Sequence, residues 1–432
     1  MAGKLAFPVA SGLFFSLVKA SSVRVLGAAA AFLATLIVTR MLGAAGAGIL
    51  FGTYAWAVGL ALAARWGSGN AILLDIPPRN TVWRRSGIAS YANAQLMDAL
   101  TRTGFLLALV AGCVLIFDAV DYRPELSVSL LVLLLPLTVI LQILGTISRG
   151  MEKAASSLFF EFLMVPLVVL AFASAVWLGV IRASLELFAI AYIAGTGLAA
   201  LACFFFNLAP FWHLRRTRNR ISRNRDRQRQ RNFALVELAF FLNSWAAMLM
   251  MPFFLPAEQV GIFNLVFRLV ASVGLIVTTI QILILPRLSL AWRSRDSEAW
   301  RKAKRDGKIV MAALGFIYAA FIFAAGQYIL DLAGHEFVVG YPALLIMSAC
   351  YGGGIMLGPS AFILNAAGFD ALVSRISTSI SLGSVIALLP AVHWFGMIGV
   401  AWVTGIAMLV LSAALFICER CMIARAERDR AS

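Results

Sequence analysis

Apolar runs of about 20 residues recur along the whole chain, separated by short polar links. At ~1.5 Å per residue, each run is long enough as a helix to cross a ~30 Å hydrocarbon core. The pattern predicts twelve spans, at 18–39, 46–70, 95–117, 126–147, 158–180, 185–209, 233–254, 259–285, 309–331, 341–365, 371–391 and 395–417. Steps of three or four residues along the eighth span pick out Gly261, Asn264, Arg268, Ser272 and Thr279, so one helix face is small and polar. Phe263, Leu265, Val266, Phe267 and Leu269 fall on the other faces, toward lipid or packing partners. The first span carries a similar stripe of Arg24, Ala28, Ala31, Thr35 and Thr39. Arg65 lies among Ala61, Leu62, Ser68 and Gly69 on the second.

Composition strengthens the membrane reading, with 62% hydrophobic and only 13% charged residues. A formal charge of +16 invites a nucleic-acid partner, but the basic residues lie in links between spans rather than on a globular face, and nucleic-acid binding is not expected. They report orientation instead. With both termini inside, 28 of the 36 Lys and Arg fall on the inner side, nine of them between Arg215 and Arg231. The outer links hold Arg40, Arg123 and Arg182 against seven acids, Glu258 and Glu336 among them. This alternation follows the positive-inside rule and requires an even number of spans, in a multi-pass protein with cytoplasmic termini whose arginine-rich link also faces anionic membrane lipid. The first 18 residues read as an uncleaved interfacial lead-in. Five cysteines, including the C-x-x-C of Cys418 and Cys421, form neither a disulfide framework nor a metal site by spacing.

The arginine-rich link lies almost midway and divides the chain into similar halves. "AGILFGTYAWAVGL" from Ala47 aligns with "VGIFNLVFRLVASV" from Val260, and "RGMEKAAS" from Arg149 with "AGFDALVS" from Ala367. Gly179 and Gly396 nearly coincide as well. Six spans per half are even, so the halves run the same way and are expected to be related by an axis along the membrane normal, with a cavity at their interface. The expected fold is an all-α polytopic membrane protein of about twelve transmembrane helices in two parallel-repeat six-helix bundles around that cavity. Residues 1–210 form the first bundle, 211–232 a basic cytoplasmic linker, and 233–432 the second bundle with a short cytoplasmic tail.

Candidate chemistry rests on charges inside spans, each of which needs a partner or water in hydrocarbon. Asp98 and Arg102 stand one helical turn apart and read as a structural pair. Lys19, Arg24, Arg65 and Arg268 have no such neighbour by sequence. Any one of these arginines reads equally as a snorkelling or buried ion-paired side chain. Three arginines on early spans of the two halves point instead to a shared aqueous cavity, lined by Lys19, Arg24, Arg65, Asn264 and Arg268. Such a cavity prefers an anion, and guanidinium suits phosphate or carboxylate. Glu237 and Glu161 are candidate counter-ions, or coupling sites for a proton or sodium gradient. No cofactor is implied. His213, His335 and His393 are unclustered and no nucleophile arrangement or phosphate loop is found, so an enzyme is not expected.

"TRMLGAAGAGIL", "GIFNLVFR", "LPRLS", "LAGHEFVVGYPALLIM", "ILNAAGFDALVS" and "WFGMIGVAWVT", in that order, resemble the Wzx polysaccharide flippases. These belong with the lipid II flippase MurJ and the MATE exporters in the multidrug, oligosaccharidyl-lipid and polysaccharide export superfamily. The resemblance implies two six-helix bundles working by alternating access in a bacterial inner membrane. It implies an undecaprenyl-diphosphate-linked oligosaccharide as substrate, for exopolysaccharide, O-antigen or capsule synthesis alongside a polysaccharide polymerase and export machinery. It also implies cavity arginines on the first, second and eighth helices, matching Arg24, Arg65 and Arg268. A lipid II flippase or a MATE-like exporter is the nearest alternative. Twelve spans rather than fourteen separate the chain from the lipid II branch, and its first span lacks the acidic cation site of MATE exporters. A membrane glycan polymerase or glycosyltransferase would require a sizeable outer loop, which the short outer links do not supply.

Overall fold

The computed structural model describes residues 7–75, 85–119, 126–151, 153–209, 234, 241, 245–294 and 296–431, and these are helical apart from turns and short links. The helices are α1 (Phe7–Arg65), α2 (Ser68–Asp75), α3 (Arg85–Ala119), α4 (Val128–Gly150), α5 (Ala154–Trp177), α6 (Leu185–Leu208), α7 (Trp245–Phe254), α8 (Ala257–Arg293), α9 (Ser297–Ala333), α10 (His335–Ala366) and α11 (Asp370–Ala431). Among the described residues, eight helices are long and apolar enough to cross a membrane. The apolar part of α1, Ser22–Arg65, has 44 residues and that of α11, Ala371–Ile423, has 53, so each is about twice the length that one ~30 Å crossing needs. Both are double passes. α1 kinks at Gly43 (φ 69°, ψ 177°) and α11 at Gly396 (φ 57°, ψ −142°), in backbone regions that glycine enters without steric cost. With α8 and the described α7, each of the twelve expected spans has a helix in place. The chain is an all-α, multi-pass membrane protein. Two expected links, around Arg40 and at 392–394, are replaced by single glycine kinks in otherwise continuous helices. The basic linker at 211–232 lies outside the described residues.

Six hydroxyls within the spans are satisfied by their own helix. Thr35, Thr53, Thr103, Thr138, Ser148 and Thr196 each donate to the carbonyl four residues back at 2.6–2.8 Å, so no hydroxyl among them is left bare in hydrocarbon.

The chain forms two compact units, one of Met1–Leu42 with Ile49–Phe241, the other of Gly43–Gly48 with Leu242–Ser432. In the first, α4 is the central element, burying residues on most of its circumference against α2, α3, α5 and α6. α5 contains a π-helical turn, Phe159–Met164, immediately before Pro166, and Glu161 on that turn forms an ion pair with Arg149 at the end of α4. Arg149 also donates to Thr146 Oγ1 at 3.0 Å and Ser157 Oγ at 3.4 Å.

In the second unit, the Tyr341–Met356 stretch of α10 packs between α9 and α11. The short Gly43–Gly48 segment belongs here because its backbone lies directly on α8. A Cβ added at Gly48 would fall 1.8 Å from the Ala257 carbonyl oxygen, and one at Gly261 would fall 2.0 Å from that of Ala44. The contact is reciprocal. Ala44 and Gly48 face Ala257 and Gly261, two small-xxx-small pairs that come from the aligned repeat segments. Glu336 Oε1 accepts a 2.7 Å hydrogen bond from Ala44 N, the amide that the Gly43 kink releases from the helix. At the opposite end of this unit Glu419, 2% exposed, pairs with Lys308 Nζ at 2.8 Å and accepts from Ser360 Oγ at 2.7 Å, beside the break of α10 at 357–359.

Two stability outcomes follow from these contacts. Gly48→Ala and Gly261→Ala each force the backbones apart and should cost about 3 kcal/mol or more, beyond ordinary overpacking; Gly104→Ala, where a Cβ meets nothing within 4 Å, should cost nothing by this mechanism. Thermal unfolding in detergent reads the difference. Glu161→Ala leaves the Arg149 guanidinium without its carboxylate and should destabilise by about 1.5–3 kcal/mol, whereas the double replacement Arg149→Met with Glu161→Leu should recover most of that loss.

Candidate functional site

α8 starts at Ala257 after Pro256, so Arg268 lies ~16 Å along its axis, near half the thickness of a ~30 Å core. Its guanidinium Nε donates to Asn264 Oδ1 at 3.0 Å, one turn earlier on the same face. Asn264 is 2% exposed, and its amide nitrogen also lies 4.0 Å from Met248 Sδ on α7. Phe267 packs against Trp245 and stacks with Phe263, with ring centroids 6.2 and 6.4 Å apart. The i, i+4 hydrogen bond orients the half-buried Arg268 side chain, and the aromatic contacts of Phe267 pack the neighbouring face of α8. A guanidinium carries its N–H donors in a planar fork, the geometry that matches phosphate or carboxylate oxygens.

The polar stripe of α8 is not uniformly open. Gly261 and Asn264 are buried, Arg268 is half-buried and Ser272 is exposed; the Thr279 side chain lies outside the described residues. The small, polar face is covered at its first turn, because the Gly43–Gly48 segment lies on it. Phe263, Leu265, Val266 and Leu269 are buried in protein rather than turned to lipid.

In the first unit Lys19 and Arg24 are exposed on α1, and the Arg24 guanidinium stands 6.0 Å from the centroid of the Phe162 ring on the π-helical turn. Arg65 lies toward the end of the second span as expected, but the helix stops there rather than running to residue 70. α1 ends at Arg65, and the chain then turns through Trp66 (φ 46°) and Gly67 (φ 70°). Arg65 is thus a last-turn cation, where the helix dipole favours positive charge. The carbonyls of Ala64 and Arg65 accept from Arg102 at 3.4 and 3.5 Å, so Arg102 closes this helix end. Glu161 is engaged with Arg149, and Glu237 lies outside the described residues. Of the predicted site residues, Asn264 and Arg268 are brought into contact within one unit.

Three groups escaped the sequence reading. Glu419 lies two residues past the expected end of the last span, and Lys308 one residue before the start of the ninth, so neither falls inside an expected span. Glu336 counted only as an outer-link acid. The available signal was the unlike charge of Lys308 and Glu419 at adjoining helix ends; nothing local marks either as buried or paired.

No protein-family model and no curated protein sequence matches the chain. Similarity is found at the level of structure. A multidrug resistance MATE family transporter of the MOP superfamily, in an inward-facing conformation, aligns with TM-score 0.70 and 16% identity over 94% of this chain and 96% of its own. The lipid II flippase MurJ, in an inward closed conformation, aligns with TM-score 0.65 and 11% identity over 94% and 87%. A MOP superfamily transporter from Pyrococcus furiosus, described as having a binding pocket of reversed polarity, aligns with TM-score 0.55 and 16% identity over 95% of each chain. Near-complete coverage of both chains at such low identity means that the fold is shared while the side chains are not: this chain has a fold similar to that of these MATE family transporters and MurJ.

Proposed function

We propose that this protein is a flippase for a lipid-linked, diphosphate-bearing oligosaccharide in a bacterial inner membrane, serving polysaccharide synthesis. The observation that carries the reading is Arg268, a fixed guanidinium ~16 Å along a membrane helix, oriented by the buried Asn264. An intramembrane cation of this kind is costly to insert and marks a polar pathway. A held guanidinium favours an anion over the cationic drugs that an exporter with an acidic site would select. Lys19 and Arg24, exposed on α1, are proposed to take the diphosphate first, and Arg65 to assist from the end of α1. Asn264 and Arg268 then meet the diphosphate or an acidic sugar during passage, while the polyprenyl tail stays in lipid. Transfer of sugars and a diphosphate through bare hydrocarbon is opposed by desolvation, and side chains that replace hydration lower that barrier. Glu237 is proposed as a counter-ion of a cavity arginine, with proton or sodium coupling at Glu237 or Glu161 as the alternative, the latter only when it is released from Arg149.

The test is transport of a polyprenyl-diphosphate oligosaccharide in proteoliposomes, followed by its exposure to a membrane-impermeant glycosidase. Arg268→Ala should lower the rate at least about tenfold, the loss of one charge-assisted bidentate contact. Arg268→Lys should restore only part, because an ammonium cannot form the fork. Undiminished transport by a well-folded Arg268→Ala protein defeats the assignment. Transport of cationic drugs in place of the lipid-linked sugar would establish the exporter reading instead.

A further inference from the structure

The geometry points to a groove in the second unit, between the C-terminal half of α8 and the N-terminal turns of α9, as a binding site for one anionic phospholipid. The cavity has a volume of about 570 Å³ and is independent of the Arg268 site. Its walls are apolar, formed by Ile280, Ile284, Leu290 and Val310, and Leu290 and Val310 are 72% and 45% exposed, so the groove opens sideways. From Ser294 to Ile280 it follows α8 for ~21 Å. That is one leaflet's half of a ~30 Å core together with its interfacial zone, the length of a single lipid rather than of a span.

One end of the groove is charged, with Asp296, Lys302 and Asp306 in its lining. The two acids are already engaged. Asp296 Oδ1 accepts from Glu298 N and Ala299 N at 3.1 and 2.9 Å, capping α9, and Asp306 stands 3.7 Å from Arg305 Nε. Neighbouring cations are directed elsewhere, Lys304 over the Trp300 ring at 5.5 Å and Lys308 onto Glu419. Among the described residues Lys302 has no ion-pair partner and is the cation left to face the groove mouth. An apolar slot one leaflet deep, with a lysine ammonium at its polar end, matches an acyl chain beneath a phosphate headgroup, as basic pockets between membrane helices do. Zwitterionic lipid gains less there, because its phosphate charge is already offset within its own headgroup.

The test uses the full chain in phosphatidylcholine nanodiscs, titrated with a fluorescent phosphatidylglycerol. Saturable binding of one phosphatidylglycerol per protein is expected. Lys302→Gln should weaken it about fivefold, and Ala299→Trp, which fills the groove without altering charge, should abolish it. Arg301→Gln, on the same helix but outside the groove lining, should leave it unchanged. Both Lys302 and Ala299 are exposed, so thermal unfolding should be unaffected and a loss of binding is not a loss of fold. Equal weakening by Lys302→Gln and Arg301→Gln would overturn the site in favour of a diffuse basic surface. Retained binding in Ala299→Trp, or no preference over phosphatidylcholine, would also overturn it. Displacement of phosphatidylglycerol by equimolar polyprenyl phosphate would show that the occupant is an isoprenoid lipid, and the phospholipid assignment would fall.

Discussion

Hydrocarbon offers no water to a backbone amide or carbonyl, and this constraint organises the molecule wherever a helix stops being regular. Where α1 kinks at Gly43, the released amide of Ala44 is taken by Glu336 at 2.7 Å. Where α1 ends, the carbonyls of Ala64 and Arg65 are met by Arg102. Where α10 breaks at 357–359, Ser360 and Lys308 converge on the buried carboxylate of Glu419. In each case a charged side chain from a distant part of the same unit stands at an irregularity of the backbone. These charges are therefore structural, however much an unpaired charge in a span resembles a functional one.

That division sharpens the meaning of Arg268. One of its hydrogen bonds runs to a neutral amide on its own helix, and the helix around it is regular. Arg149 and Arg102, by contrast, meet a carboxylate and helix-end carbonyls. The same logic separates Lys302 from Lys304 and Lys308 on two helical turns that carry five cations, from Arg301 to Lys308. Sign alone does not distinguish them; their partners do.

The reciprocal packing of Ala44 and Gly48 on Ala257 and Gly261 unites sequence and structure in another way. "AGI" at 47–49 and "VGI" at 260–262 align as repeats, and their glycines meet at backbone distance. Without a hydrophobic drive between helices in lipid, close backbone approach supplies dispersion and weak Cα–H to carbonyl contacts in its place. A side chain at either glycine removes that approach.

The hydropathy pattern by itself determined the membrane class, the all-α architecture and the position of nearly every span, because a bilayer demands about 20 apolar residues per helix regardless of the neighbours. It also placed Arg268 and Asn264 on one face, since a helical period fixes which residues share a side. Only the tertiary structure decided that Gly261 is covered and not wet, that Arg65 ends a helix, that Glu161 belongs to Arg149, and that Glu419 is buried. The two expected links that proved to be glycine kinks belong here too, because hydropathy cannot distinguish a loop of a few residues from a single left-handed glycine. Each of these facts depends on a residue brought in from far along the chain, such as the 292 positions that separate Ala44 from Glu336. Local periodicity carries no record of such partners; packing does.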